Sequence, residues 1–208
     1  MNKRLVWNFE VSNSEDLDFH HLSDEKDEIR WEARYFWSEE TIITLHGLNE
    51  SFLALSNYEI KHRQDCYILL PDSPYNIKQR RSQLLYKPLI QEEGILRGYG
   101  KKIDLADYSP GEILPGTRAL YAPLLLAEIQ KNQREIEVSK EVLIYKLASQ
   151  PKIKLELARL ELAKKIYFSL SVEGRSKLLV NTLARHLLDK QVSCDYVNFL
   201  KQTLNHDH

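Results

Sequence analysis

From Tyr58 to Leu89 the chain sorts its residues in steps of two. Lys61, Arg63, Asp65 and Tyr67 take one side of a segment, Ile60, Cys66, Ile68 and Leu70 fall mostly on the other, and His62 and Gln64 lie between. Lys78 and Arg80 share a face of the next segment and Lys87 sits in the third. A period of two is that of a strand with two unlike faces. The pattern predicts strands at 58–70, 76–81 and 84–90. The links at Pro71-Asp72-Ser73-Pro74 and Arg81-Ser82-Gln83 are short turns, so neighbouring strands run antiparallel.

The same alternation recurs elsewhere. Glu28, Arg30, Glu32 and Arg34 oppose Ile29, Trp31, Ala33 and Tyr35, and Leu5–Val11 is strand-like. Strands are predicted at 135–146, 152–162 and 166–173, after a helix between Ala119 and Gln133. That helix starts at 121 or 122, because Pro123 is tolerated only in a first turn. Ser38, followed by Glu39, Glu40 and Thr41, predicts a capped helix carrying Ile42, Ile43 and Leu45 and stopping near Gly47. Residues 13–27 are acidic and aperiodic and read as a linker, with His20 and His21 as loop histidines. The glycine-containing stretch 91–117 reads as an irregular crossover with one short strand near Lys101–Leu105. Ser176–Lys190 is an amphipathic helix, with His186 packed on its apolar side, and Asp195 caps a last helix carrying Val197, Phe199, Leu200 and Leu204.

Strands follow strands without βαβ alternation, so the expected fold is α+β. The core is predicted to be an antiparallel eight-stranded barrel, closed or nearly so, with flanking helices. The expected division is an N-terminal strand and acidic linker (1–27), the barrel (28–174), and a C-terminal helical pair packed on the barrel exterior (175–208).

Pooling the polar strand faces changes the picture. The cations are Arg30, Arg34, Lys61, Arg63, Lys78, Arg80, Lys87, Lys140, Lys152 and Lys154; the acids are Glu28, Glu32, Asp65, Glu156 and Glu173. The pooled face is thus rich in cations although the chain of 208 residues carries a net charge of −1. Two arrangements fit. Either the charges face water, or the apolar faces pack outward beneath the helices and the charged faces line a cavity. Three amphipathic helices in need of apolar surface favour the second. Such a cavity would hold a polyanion strongly.

Composition excludes several classes. At 43% hydrophobic and 28% charged residues, with no long apolar run, an ordinary soluble, cytoplasmic protein is expected. The near-neutral balance gives no global pull toward nucleic acid or a membrane. No glycine-rich phosphate loop is present. Cys66 and Cys194 are expected to be reduced, packed thiols.

Several motifs follow in order: Glu28-Ile29-Arg30-Trp31-Glu32, Arg63-Gln64-Asp65-Cys66-Tyr67, Lys78-Gln79-Arg80, Leu85-Tyr86-Lys87, Val138-Ser139-Lys140, Glu156-Leu157 and Val172-Glu173-Gly174. Together they resemble the CYTH-like superfamily, the triphosphate tunnel enzymes that include class IV adenylyl cyclase and thiamine triphosphatase. The resemblance spans residues 28–174. It implies a tunnel that binds a triphosphate or similar polyanion, with Mg2+ or Mn2+ on glutamates and water attacking a phosphoryl group. By position Arg63, Lys78, Arg80, Lys87 and Lys140 would hold phosphates, and the pooled face adds Arg30, Lys61 and Lys154. Glu28, Glu156 and Glu173 would hold the metal, with Glu32 as the other first-strand acid. The family's Glu-x-Glu-x-Lys strand departs here, with Arg30 at the second acidic position. Glu28 and Glu32 lie roughly 13 Å apart along an extended strand, too far for one cation whose oxygen ligands sit at about 2.0–2.6 Å. Val142 also stands where the family has a basic residue. A phosphohydrolase, a polyanion-binding module without turnover and a protein-interaction module all remain open, with a small phosphorylated anion or polyphosphate as the expected ligand.

Overall fold

The structure is a computed structural model that describes residues 2–12, 22–188 and 191–205. His20, His21 and most of the predicted acidic linker lie outside the described residues. The strands are β1 (Lys3–Val6), β2 (Phe9–Val11), β3 (Arg30–Ser38), β4 (Ile43–Leu45), β5 (Glu59–Leu69), β6 (Asn76–Arg80), β7 (Gln83–Lys87), β8 (Leu89–Glu93), β9 (Leu96–Tyr99), β10 (Ile103–Asp104), β11 (Arg134–Lys146), β12 (Lys154–Leu162) and β13 (Lys165–Gly174). The helices are α1 (Ala122–Asn132), α2 (Lys177–Leu188) and α3 (Tyr196–Asn205).

Ten strands form one strongly curled antiparallel sheet in the order β10-β7-β6-β5-β11-β12-β13-β3-β9-β8. The expected eight-stranded barrel, closed or nearly so, is corrected to a ten-stranded half-barrel that does not close. The extra strands come from 91–117, where β8 and β9 form a hairpin through Gly94 at φ +57°. The ladder does not close: its edges are β10 and β8, and β7 runs into β8 through Pro88. The chain itself bridges the gap there, and the Pro88 carbonyl accepts from the Gly100 amide at 3.0 Å.

β1, β2 and β4 make a second, small sheet, with β2 and β4 parallel. β4 replaces the helix predicted after Ser38. The Thr41 amide donates to the Ser38 carbonyl in a turn, and Ile43 and Leu45 are then buried on one face of a strand. The β-branched run Thr41-Ile42-Ile43-Thr44 suits that outcome better than a helix.

The apolar outer faces of the large sheet are covered by two helices. α2 lays Leu179, Leu183 and Leu187 near Phe168, Leu170 and Val172 of β13 and Trp31, Ala33 and Tyr35 of β3. Its His186 packs against Gly47, where a Cβ would lie 1.8 Å from His186 Nε2 and where φ is +68°. α1 sets Leu125 and Ile129 into a cluster with Ile68, Ile77 and Tyr86.

α3 does something else. It was expected on the exterior with α2, yet its apolar side meets the concave face of the sheet. Phe199 stacks on Phe36 at 4.0 Å between ring centroids, and Tyr196 on Tyr67 at 5.1 Å. Val197 and Leu200 join Val138, Val142 and Leu160 in the same cluster. These partners sit at inward positions because the strand registers Lys140↔Arg63, Val138↔Asp65 and Ala158↔Ser169 put residues two apart on one face. One end of the concave side is therefore apolar and filled by α3; the other is charged. Among the described residues no helix is long and apolar enough to cross a membrane.

Candidate functional site

The charged end is a cavity of about 600 Å3. Twelve Lys or Arg side chains and five Asp or Glu side chains line it, a formal excess of seven positive charges. All eight candidate phosphate-holding cations line it: Arg30, Lys61, Arg63, Lys78, Arg80, Lys87, Lys140 and Lys154. So do the four glutamates, Glu28, Glu32, Glu156 and Glu173. The charged faces thus point inward, the second of the two arrangements. Lys152 does not line the cavity; it precedes β12 and is exposed.

The structure adds residues that the motif reading passed over. Lys101 and Lys102 come from the link between β9 and β10, at the start of the short strand expected near Lys101–Leu105, and Arg175 directly follows β13. Tyr67, Tyr99 and Tyr196 supply aromatic walls. Tyr196 Cα lies on α3, so no strand pattern could have pointed to it. Its ring lies 3.8 Å from the Lys140 ammonium and 4.8 Å from the Arg34 guanidinium carbon, while Lys87 Nζ sits 3.5 Å from the Tyr99 ring centre. The negative face of each ring attracts the cation held over it.

Four of the five acids, Glu32, Asp65, Glu156 and Glu173, are counter-ions to the cations. On one wall Glu32 accepts from Arg34 Nε at 2.8 Å and from Lys87 Nζ at 2.6 Å. The second bond joins β3 to β7, which are not neighbours in the sheet. Glu156 takes Arg34 at 3.2 Å and Arg63 at 3.7 Å, and Ser169 Oγ accepts from Arg34 Nη1 at 3.1 Å. On the facing wall Asp65 takes Lys78 at 3.1 Å, Arg80 Nε at 2.7 Å and Lys140 at 3.1 Å. Nearer the mouth Glu173 meets Arg30 at 3.4 Å and Lys154 at 3.8 Å, and Lys61 pairs with Glu59 at 2.7 Å.

Burial shifts the protonation of these groups. It would raise the Glu32 carboxyl, but Lys87 and Arg34 beside it hold it well below the usual carboxylate range. Asp65 is likewise held low, against its burial, by Lys140, Lys78 and Arg80. Lys78 is pushed down from 10.5 to about 7 by burial and by the charge of Lys140, with Asp65 opposing. Burial brings Lys140 down to about 8, again against Asp65. Lys102 is lowered by burial, Lys87 and Arg80.

A stability prediction follows. Above pH 7 the folded chain loses the Lys78 proton, while the unfolded chain keeps it up to 10.5. The unfolded state then binds more protons, so stability rises with pH in that window. Without added polyanion, the melting temperature of the native protein is expected to rise between pH 7 and 9 relative to Lys78→Met. Parallel pH profiles of the two proteins would refute the assignment.

Mg2+ or Mn2+ would need several oxygen ligands that are not already held by cations. Glu32, Glu156 and Glu173 each have basic partners, and among the described residues no three His, Cys, Asp or Glu side chains gather as a metal site. The residues present, as arranged, do not fit a divalent metal. Cys66 and Cys194 are free thiols. Compared with known proteins, the chain matches no family model, and no curated protein matches its sequence.

Proposed function

We propose that this chain is a divergent member of the CYTH-like superfamily and that its cavity binds a triphosphate or similar phosphate-rich polyanion. One observation carries the reading: a walled cavity with an excess of seven positive charges in a chain whose net charge is −1. A cavity of about 600 Å3 also falls in the range of roughly 300–1,000 Å3 found for small-molecule sites. Low-dielectric walls strengthen each contact, and a ligand with several negative charges relieves the repulsion among the cations. Binding is favoured over metal-dependent hydrolysis because three of the carboxylates that would hold a metal, Glu32, Glu156 and Glu173, are engaged by Arg and Lys.

Thermal unfolding with tripolyphosphate is the direct test. At a ligand concentration one hundred times Kd, the melting temperature should rise by about 5–10 °C. Arg63→Ala and Lys87→Ala should each remove most of that rise, since both side chains line the cavity and neither lies in the apolar clusters. No shift in the native protein would overturn the proposal. Phosphate release with Mg2+ or Mn2+ would show that catalysis accompanies binding.

A further inference from the structure

Asp65 is the most enclosed acid of the cavity: 2% of its surface is exposed. Three cations converge on its one carboxylate. Arg80 places Nε at 2.7 Å and Nη2 at 2.6 Å from Oδ1, and Lys78 and Lys140 each bring Nζ to 3.1 Å from Oδ2. Tyr67 Oη takes a further Lys140 hydrogen bond at 2.8 Å. Two oxygens, one negative charge and three fixed donors are what a small oxyanion would meet at this place. The strand registers make the convergence: Lys78 stands opposite Tyr67 and Lys140 opposite Arg63, on either side of Asp65.

We propose that Asp65 is the specificity-determining residue of the cavity, an internal anion that occupies the subsite made by Lys78, Arg80 and Lys140. The inference rests on the polyanion reading. A small oxyanion that enters this subsite meets a fixed carboxylate and gains little. A polyanion can also engage the Arg63 and Lys87 side of the cavity, so it tolerates that repulsion. Asp65 thereby rejects inorganic phosphate and sulfate, which would otherwise fill so basic a cavity, and keeps it for ligands that span several cationic centres. Selection by repulsion of the wrong ligand is a general route to specificity.

Calorimetric titration of the native protein, Asp65→Asn and the double variant Asp65→Asn/Lys78→Gln with inorganic phosphate and with tripolyphosphate tests this. In both variants phosphate affinity should rise by at least about tenfold, the scale of one charge-assisted contact. The preference for tripolyphosphate over phosphate should narrow correspondingly. The double variant retains the native net charge and leaves two cations, Arg80 and Lys140, beside residue 65 in place of three, so it keeps the test alive if Asp65→Asn does not fold. A gain there reports the vacated subsite and not bulk charge. An unchanged phosphate affinity in the double variant would overturn the inference, as would a gain in Asp65→Asn that disappears in the double. If the native protein does not bind tripolyphosphate, the polyanion reading fails first, and Asp65 selectivity falls with it.

Discussion

Replacing Glu32 by Gln is expected to lower the free energy of unfolding by about 3–5 kcal/mol, the usual cost of removing one partner from a buried ion pair. Glutamine keeps the size and a hydrogen-bonding oxygen but not the charge. Arg34, with 7% of its side chain exposed, would then retain Glu156 as its remaining acidic partner, and Lys87 would lose its anchor across the open edge of the sheet. Denaturant unfolding should show a lower midpoint with an unchanged slope. Acid behaviour gives an independent check. The folded Glu32 stays ionised below its ordinary value of 4.5. Below that value the unfolded chain therefore takes up the proton that the folded chain refuses. The stabilisation from this charge is full above 4.5 and is lost as pH falls. Glu32→Gln should lack that part of the acid sensitivity. Tripolyphosphate should stabilise the variant at least as much as the native protein, since the ligand supplies negative charge beside Arg34 and Lys87. A loss below about 1 kcal/mol would place Glu32 among ordinary surface pairs.

The long strands were legible because each keeps a period of two over many residues. β5 was expected at 58–70 and spans Glu59–Leu69; β11 was expected at 135–146 and spans Arg134–Lys146. The cationic pool followed from the same period, and every predicted binding residue lines the cavity. What failed has physical reasons. β8 and β9 are short, and Leu96-Arg97-Gly98-Tyr99 carries too few alternations to register as a strand. β4 was masked by a capping signal at Ser38 that forms a turn instead. The pairing of each acid with particular cations depends on strand register and sheet curl, and neither is written in residue order. Asp65 was visible as a minority acid, but its three partners lie on β6 and β11, one of them 75 residues further along the chain.

The site of α3 was the least legible feature, because an amphipathic helix records that one face is buried and not where. Tyr196, Val197, Phe199 and Leu200 would fit an outer groove as well as the concave side. The position has a distinct energetic consequence. Leu200 is fully buried among residues of the concave face. Leu200→Ala is therefore expected to cost about 2–5 kcal/mol, against less than about 0.5 kcal/mol for the exposed Gln202→Ala. Leu200→Asp should cost more than Leu200→Ala, because a carboxylate would enter an apolar cluster without a partner. The helix also supplies the Tyr196 ring beneath Lys140 and Arg34. Loosening it should therefore weaken tripolyphosphate binding together with stability, although residue 200 does not line the cavity. Helices packed outside, such as α1, have no such link. Leu125→Ala should cost comparable stability, since Leu125 is fully buried, and leave the ligand's dissociation constant unchanged. Equal effects of the two substitutions on binding would mean that α3 is only a structural support, and a Leu200→Ala loss below about 1 kcal/mol would place the helix outside the sheet's concave core.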